Sequence, residues 1–187
     1  MRSVIFVVLG FMIALIGTSV EAQPYPKGTA ADVTHTDIQD ALKKTASAKV
    51  SDQQLRVVSI NGEYNVAVGI LHRAKASGKD AGGALEHTEV TEVYHIIEGS
   101  GTFVTGGDIE NSKPLPANSE VVKVLVGPSN AGGPIDGGVS RKVGPGDVII
   151  LPPNTPHWFS EITTPEIVYL VVRVDSRKVL PAGYGAK

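Results

Sequence analysis

Asn61-Gly62, Gly99-Ser100 and Gly144-Pro145-Gly146-Asp147 cut this chain into strand-length apolar runs. Glycine and asparagine reach the left-handed backbone that tight turns need, and proline pre-sets φ, so each cluster makes the chain reverse. The runs between them include QLRVVSI (54–60), EYNVAVGILHRA (63–74), VVKVLV (121–126) and EIVYLVVRVD (166–175). They are rich in β-branched residues and too short for a sustained helical repeat. The pattern predicts hairpins at Asn61-Gly62 and Gly99-Ser100, a strand over 121–126, and an all-β sandwich or barrel. One short helix is expected over about residues 37–46, where Ile38, Ala41, Leu42 and Thr45 recur at helical spacing. Thr36 and Gln39 resemble a capping box at its start.

Size and charge narrow the possibilities. The chain has 187 residues, 42% of them hydrophobic, which suits one domain with a single core. A formal charge of −2 without a basic run argues against nucleic acid or an anionic membrane surface as the main partner. With no cysteine, the core must stabilise the protein without disulfides.

The N-terminus reads as a targeting segment. Arg2 precedes a thirteen-residue apolar run (4–16), and Val20-Glu21-Ala22 offers compact residues where a signal peptidase cuts. The run is short of the roughly 20 residues that span a membrane. The expectation is a secretory signal over 1–22, a mature N-terminus at Gln23, a secreted or periplasmic protein and no stable membrane anchor after processing. An arm and helix (23–53), a β-barrel (54–175) and a C-terminal tail (176–187) follow.

GDVIILPPNTPH (146–157) is a short strand, a proline-rich turn and a histidine opening the next strand. It resembles the second of two short motifs of the cupin superfamily, and EHTEVTEVYHIIEG (86–99) resembles the first. In the downstream motif Gly146, Pro152 and His157 fit, while Asn154 stands where the family has glycine and Glu161 where it has asparagine. Asn154 is a mild change, because asparagine tolerates the left-handed backbone. Upstream, the family has His-x-His, then glutamate, then glycine. Glu92 and Gly99 keep the last spacing, His87 takes the second histidine position, and Leu85 stands at the first.

The resemblance implies a double-stranded β-helix, the cupin barrel or jelly roll, with a short N-terminal helix. It also implies one divalent metal ion held by His87, Glu92 and His157. Two imidazoles and a carboxylate accept Fe, Mn, Cu, Ni or Zn without distinguishing them. The partner implied is a small-molecule substrate or ligand. The leading activity is a dioxygenase-type oxidoreductase, with open metal positions for substrate and dioxygen. A metal-dependent lyase, isomerase or hydrolase is the alternative, and a metal-free ligand-binding or structural cupin is the reading that Leu85 favours.

Strand alternation sorts the remaining candidates. Tyr94 shares a face with Glu92 and is a candidate pocket wall. Phe159 shares one with His157, as pocket wall or ordinary core. Glu161, on that face too, is a candidate partner to orient His157. His72 shares a face with Val66, Val68 and Ile70, and would be a pocket residue or fourth ligand if that face is inward, or a solvent-edge histidine otherwise. His95 has the opposite parity to Glu92 and is read as packing or interface. Trp158 points away from His157, towards inter-sheet packing or a homodimer contact. Glu89 is an alternative ligand or a solvated turn carboxylate, and His35 a surface residue.

Overall fold

Asn61 and Gly62 both take positive φ, 51° and 73°, and turn β1 (Val50–Ile60) back on β2 (Tyr64–Ser77). Ile60 pairs with Tyr64, so Glu63 joins the loop rather than starting the strand, with its N–H donating to the Ile60 carbonyl at 2.9 Å. The computed structural model describes residues 29–185. The expected signal, residues 1–22, and the junction at Gln23 lie outside these.

The helix α1 (His35–Thr45) begins earlier than its spacing suggested. Its cap is Thr34, whose Oγ1 accepts from the Asp37 N–H at 3.1 Å while the Asp37 carboxylate accepts from the Thr34 N–H at 3.0 Å. The Thr36/Gln39 box does not form, because the negatively charged Asp37 completes a reciprocal cap two residues upstream. Ile38, Ala41 and Leu42 pack on Ile70 and Val168 of the sheet.

The remaining strands are β3 (Leu85–His87), β4 (Val90–Glu98), β5 (Gly101–Thr105), β6 (Asp108–Ile109), β7 (Lys113–Pro114), β8 (Ser129–Ala131), β9 (Ile135–Asp136), β10 (Val139–Val143), β11 (Val148–Leu151) and β12 (His157–Asp175). Ten of the twelve form one curled antiparallel sheet, and β6 pairs with β9. This is the jelly-roll barrel expected from the sequence. Its interior is closed by Leu71, Tyr94, Phe103, Phe159, Tyr169 and Val171.

Two local expectations fail. The β4 and β5 strands do not form a hairpin. The first pairs with β11 and the C-terminal part of β12, and the second with β10 and the N-terminal part of β12. The Gly99-Ser100 turn instead packs on the bend of β12, where the Ser100 N–H donates to Thr164 Oγ1 at 2.9 Å and the Thr163 N–H to the Ser100 carbonyl at 3.0 Å. A side chain on Gly99 would strike the Glu166 carbonyl. The run Val121–Val126 is a π-helix, closed by the Gly127 N–H on the Val122 carbonyl at 3.0 Å. A short apolar run does not distinguish strand from buried helix by periodicity. Past β12 the chain returns along β1, burying Leu180 and bonding Gly183 and Tyr184 to Val57.

Candidate metal centre

His87 ends β3, Glu92 lies in β4 and His157 opens β12, and all three face the barrel interior. They are 4%, 1% and 6% exposed. His87 Nε2 lies 3.2 Å and His157 Nε2 3.8 Å from Glu92 Oε2. One ligand atom from each residue lies within 4.8 Å of the others. The turn that delivers His157 is bolted to the first motif, since Asn154 takes φ 61° and its N–H donates to the His87 carbonyl at 2.7 Å. Asparagine thus meets the backbone demand that glycine would otherwise meet.

Hydrogen bonds fix the tautomers. The Ser129 hydroxyl donates to the Gly127 carbonyl at 2.9 Å, so its oxygen accepts from His87 Nδ1–H at 2.8 Å. His157 Nδ1–H donates to the Thr155 carbonyl at 3.0 Å. In a neutral ring each Nε2 therefore carries a lone pair, and both point towards a carboxylate oxygen. Burial, then the nearby His87, pushes His157 down to about 4 despite the pull of Glu92, so its imidazole is neutral at pH 7. With both rings neutral, two imidazole lone pairs converge on a carboxylate oxygen, an arrangement that a cation relieves. The donor set fits a divalent metal.

Arg173 completes the arrangement and was not singled out from the sequence. It is 1% exposed, and its Nε donates to Glu92 Oε1 at 2.8 Å, Nη1 to Gln54 Oε1 at 3.1 Å and Nη2 to Asp52 Oδ2 at 2.5 Å. The guanidinium thus clamps one oxygen of Glu92 and leaves the other between the histidines. Burial pushes the Glu92 carboxyl up, but the charges at His87 and Arg173 outweigh it and hold it well below the usual carboxylate range. The signal for Arg173 was its parity, since it shares the inward face of β12 with Tyr169 and Val171. Ser129 lies in a glycine-rich loop and had no comparable signal.

The other expected residues divide. Tyr94 lines the site, its hydroxyl donating to Glu92 Oε2 at 2.8 Å and its ring edge-on to His157 at 6.1 Å. Burial and then Glu92 push its pKa well up, so it stays a donor. Phe159 is core, its ring packed at a tilt against Phe103 at 4.6 Å and Tyr169 at 5.5 Å between centres. Leu85 pairs directly with His157 across the strands and shares a face with His87, the geometry expected of the missing histidine position.

Two placements are corrected. Glu161 does not orient His157. A bulge between Phe159 and Glu161 shifts the alternation, turning Ile162 inward and Glu161 out to an ion pair with Lys142 at 3.2 Å. The partner of His157 is the Thr155 carbonyl. His72 is neither a fourth ligand nor a solvent-edge residue. The inward residues of β2 include Leu71, so His72 lies on the outer face, buried beneath α1 beside Gln39, Leu42 and Lys43. His95 is exposed, and Trp158 Nε1 donates to the Gly82 carbonyl at 2.9 Å.

Comparison with known proteins bears on the family. No curated protein sequence matches the chain. Among solved structures, one from Bacillus halodurans is 14% identical over 84% of this chain and 89% of that one, with a TM-score of 0.47. The DMSP lyase DddQ from Ruegeria pomeroyi is 14% identical over 75% of this chain and 55% of its own, with a TM-score of 0.42. A cupin protein from Bacteroides fragilis is 15% identical over 65% and 75%, with a TM-score of 0.37. Nothing about this chain's chemistry follows from likenesses so distant. The model of the family described as Cupin matches residues 85–184, more than half of the chain and all three converging side chains, and the chain belongs to that family.

Proposed function

We propose that this cupin is an enzyme that binds one divalent metal ion through His87, Glu92 and His157 and acts on a small organic substrate. The observation that carries the reading is the convergence of His87 Nε2 and His157 Nε2 on Glu92 Oε2, with both Nδ1 atoms anchored elsewhere. Three protein donors leave coordination positions open, a pattern that suits a dioxygenase-type oxidoreductase of a small molecule. A metal held there supplies redox or Lewis-acid chemistry according to its identity. The chain's own residues hold the donors in place. Arg173 keeps Glu92 ionised and oriented, Ser129 and Thr155 set the imidazole tautomers, and Tyr94 presents a hydroxyl beside Glu92. Phe103, Phe159 and Tyr169 exclude water behind them.

A second reading has an observation of its own. Glu92 is already charge-paired with Arg173 at 2.8 Å, so with His87 protonated the cluster would be a structural ion-pair network in a metal-free cupin. Elemental analysis of protein purified without an affinity tag decides between them. About one equivalent of Fe, Mn, Cu, Ni or Zn supports the metal centre, and its absence after reconstitution with each metal supports the network. Oxygen uptake by the loaded protein with phenolic and keto-acid substrates then tests the oxidoreductase, and turnover without oxygen uptake would point to a lyase, isomerase or hydrolase.

A further inference from the structure

A cavity of about 620 Å³ opens at the end of β2, beside the bend of β12, within the size range of small-molecule sites. Its lining carries three cations, Lys49, Arg73 and Lys75, against the carboxylates Asp80 and Glu161. Glu161 is taken up by Lys142, which is not part of the lining. The lysines are exposed and could be no more than a solvated basic rim. Arg73 is different.

Arg73 is half-buried. Its Nε donates to Tyr169 Oη at 3.0 Å, and its guanidinium carbon lies 5.8 Å from the centre of the Phe159 ring. These contacts hold the guanidinium in place. Among the described residues, its two terminal nitrogens make no hydrogen bond and no carboxylate oxygen lies within 4.0 Å of it. Asp52, the carboxylate that bears most on Arg73, gives Oδ2 to Arg173 at 2.5 Å. A planar cation held by an aromatic ring, with two parallel donors unspent beside a cavity, matches the geometry of a carboxylate. Tyr169 in turn packs on Tyr94 at 4.7 Å between ring centres, and Tyr94 touches Glu92, so the cavity backs onto the candidate metal centre through two rings.

We propose that this cavity binds the carboxylate of a small organic anion, through paired hydrogen bonds from Arg73, with Lys49 and Lys75 drawing it in. The proposal rests on the functional reading above only in making that anion the substrate. Binding itself needs no metal. The test is calorimetric titration of the full chain, as purified and after chelation, with sodium malonate, sodium acetate and inorganic phosphate, at constant ionic strength in chloride. Saturable malonate binding is expected in both preparations. It should weaken by at least about tenfold in Arg73→Gln, since a charge-assisted pair is lost, and stay unchanged in Lys113→Gln, an exposed lysine outside the lining. If Arg73→Gln does not fold, the double variant Lys49→Gln/Lys75→Gln, altered only at exposed positions, should weaken binding several-fold.

Absence of saturable malonate and acetate binding, or parental affinity in Arg73→Gln or in the folded double variant, overturns the proposal. Phosphate binding without carboxylate binding overturns the choice of anion. Carboxylate binding by a protein that takes up no metal upholds the cavity and removes the metal centre, and a metal-loaded protein blind to all the anions does the reverse.

Discussion

His157 and His72 are buried almost equally, at 6% and 4% exposure, yet they sit on opposite faces of the same curled sheet in different chemistry. His157 has its Nδ1 anchored on a carbonyl and its Nε2 aimed at a carboxylate clamped by arginine. His72 lies under α1, its Nδ1 without a hydrogen-bond partner among the described residues and its Nε2 4.0 Å from Glu166, a carboxylate 48% exposed. Burial alone therefore says little about ligation. What marks a candidate ligand is a second atom that fixes the ring and a charge that is itself held in place.

The largest effect should come from unbalancing the charge on the His157 side. Arg173→Met removes the counter-charge of a fully buried carboxylate and should cost about 3–5 kcal/mol in urea unfolding. Glu166→Gln, beside His72, should change stability by less than about 0.5 kcal/mol. Similar losses in the two variants would break the contrast.

Acid sharpens it next. Burial holds folded His157 at about 4, against about 6.5 when unfolded, so between these values the unfolded chain binds a proton that the folded chain refuses. Glu92, held low in the fold, acts in the same direction at lower pH. The metal-free protein should thus have its full contribution from His157 above about pH 6.5 and lose roughly 3 kcal/mol as pH falls through 4. Urea midpoints between pH 7.5 and 4 measure this, and His157→Gln should flatten the slope. An equally steep slope in that variant would assign the loss elsewhere.

Metal uptake separates the histidines directly. His157→Ala should weaken binding at least about a hundredfold, more than the loss of an outer hydrogen-bond partner, whereas His72→Ala should leave it unchanged. Competition with a chromophoric chelator reads both, with circular dichroism checking the folds. Equal losses would mean that the centre is misplaced.

Leu85→His has the smallest expected effect. Residue 85 pairs with His157 and shares a face with His87, so a histidine there should add a donor and tighten binding by about tenfold. Unchanged affinity for Mn, Fe, Cu and Zn would show that position 85 does not reach the centre.

The barrel and its three converging residues were legible because turn chemistry and motif spacing are local. Glu92, His87 and His157 needed only strand parity to point inward. Parity failed where the strand itself was irregular. Nothing in HWFSEI announces the bulge that turns Glu161 outward, and the alternation ending at His72 reveals no side until the helix that covers it is placed. Gly99-Ser100 was read correctly as a turn but not for its partners, since a local signal does not say which distant strand accepts each arm. Arg173 was readable in principle, as a charge at an inward position, but its partners Asp52 and Glu92 lie far off in sequence and meet it only in the fold.

One feature of β12 bears on how the protein comes into being. This nineteen-residue strand carries both His157 and Arg173, and pairs with β2, β3, β4 and β5. During synthesis those four strands leave the ribosome before it, with open edges and with Glu92 lacking its cation. Such a nascent chain is sticky and slow to close, because its decisive contacts are the most distant along the sequence. A ribosome that stalls between residues 163 and 172 would release a polypeptide holding every candidate ligand but no clamp, and a quality-control protease should find that fragment unfolded.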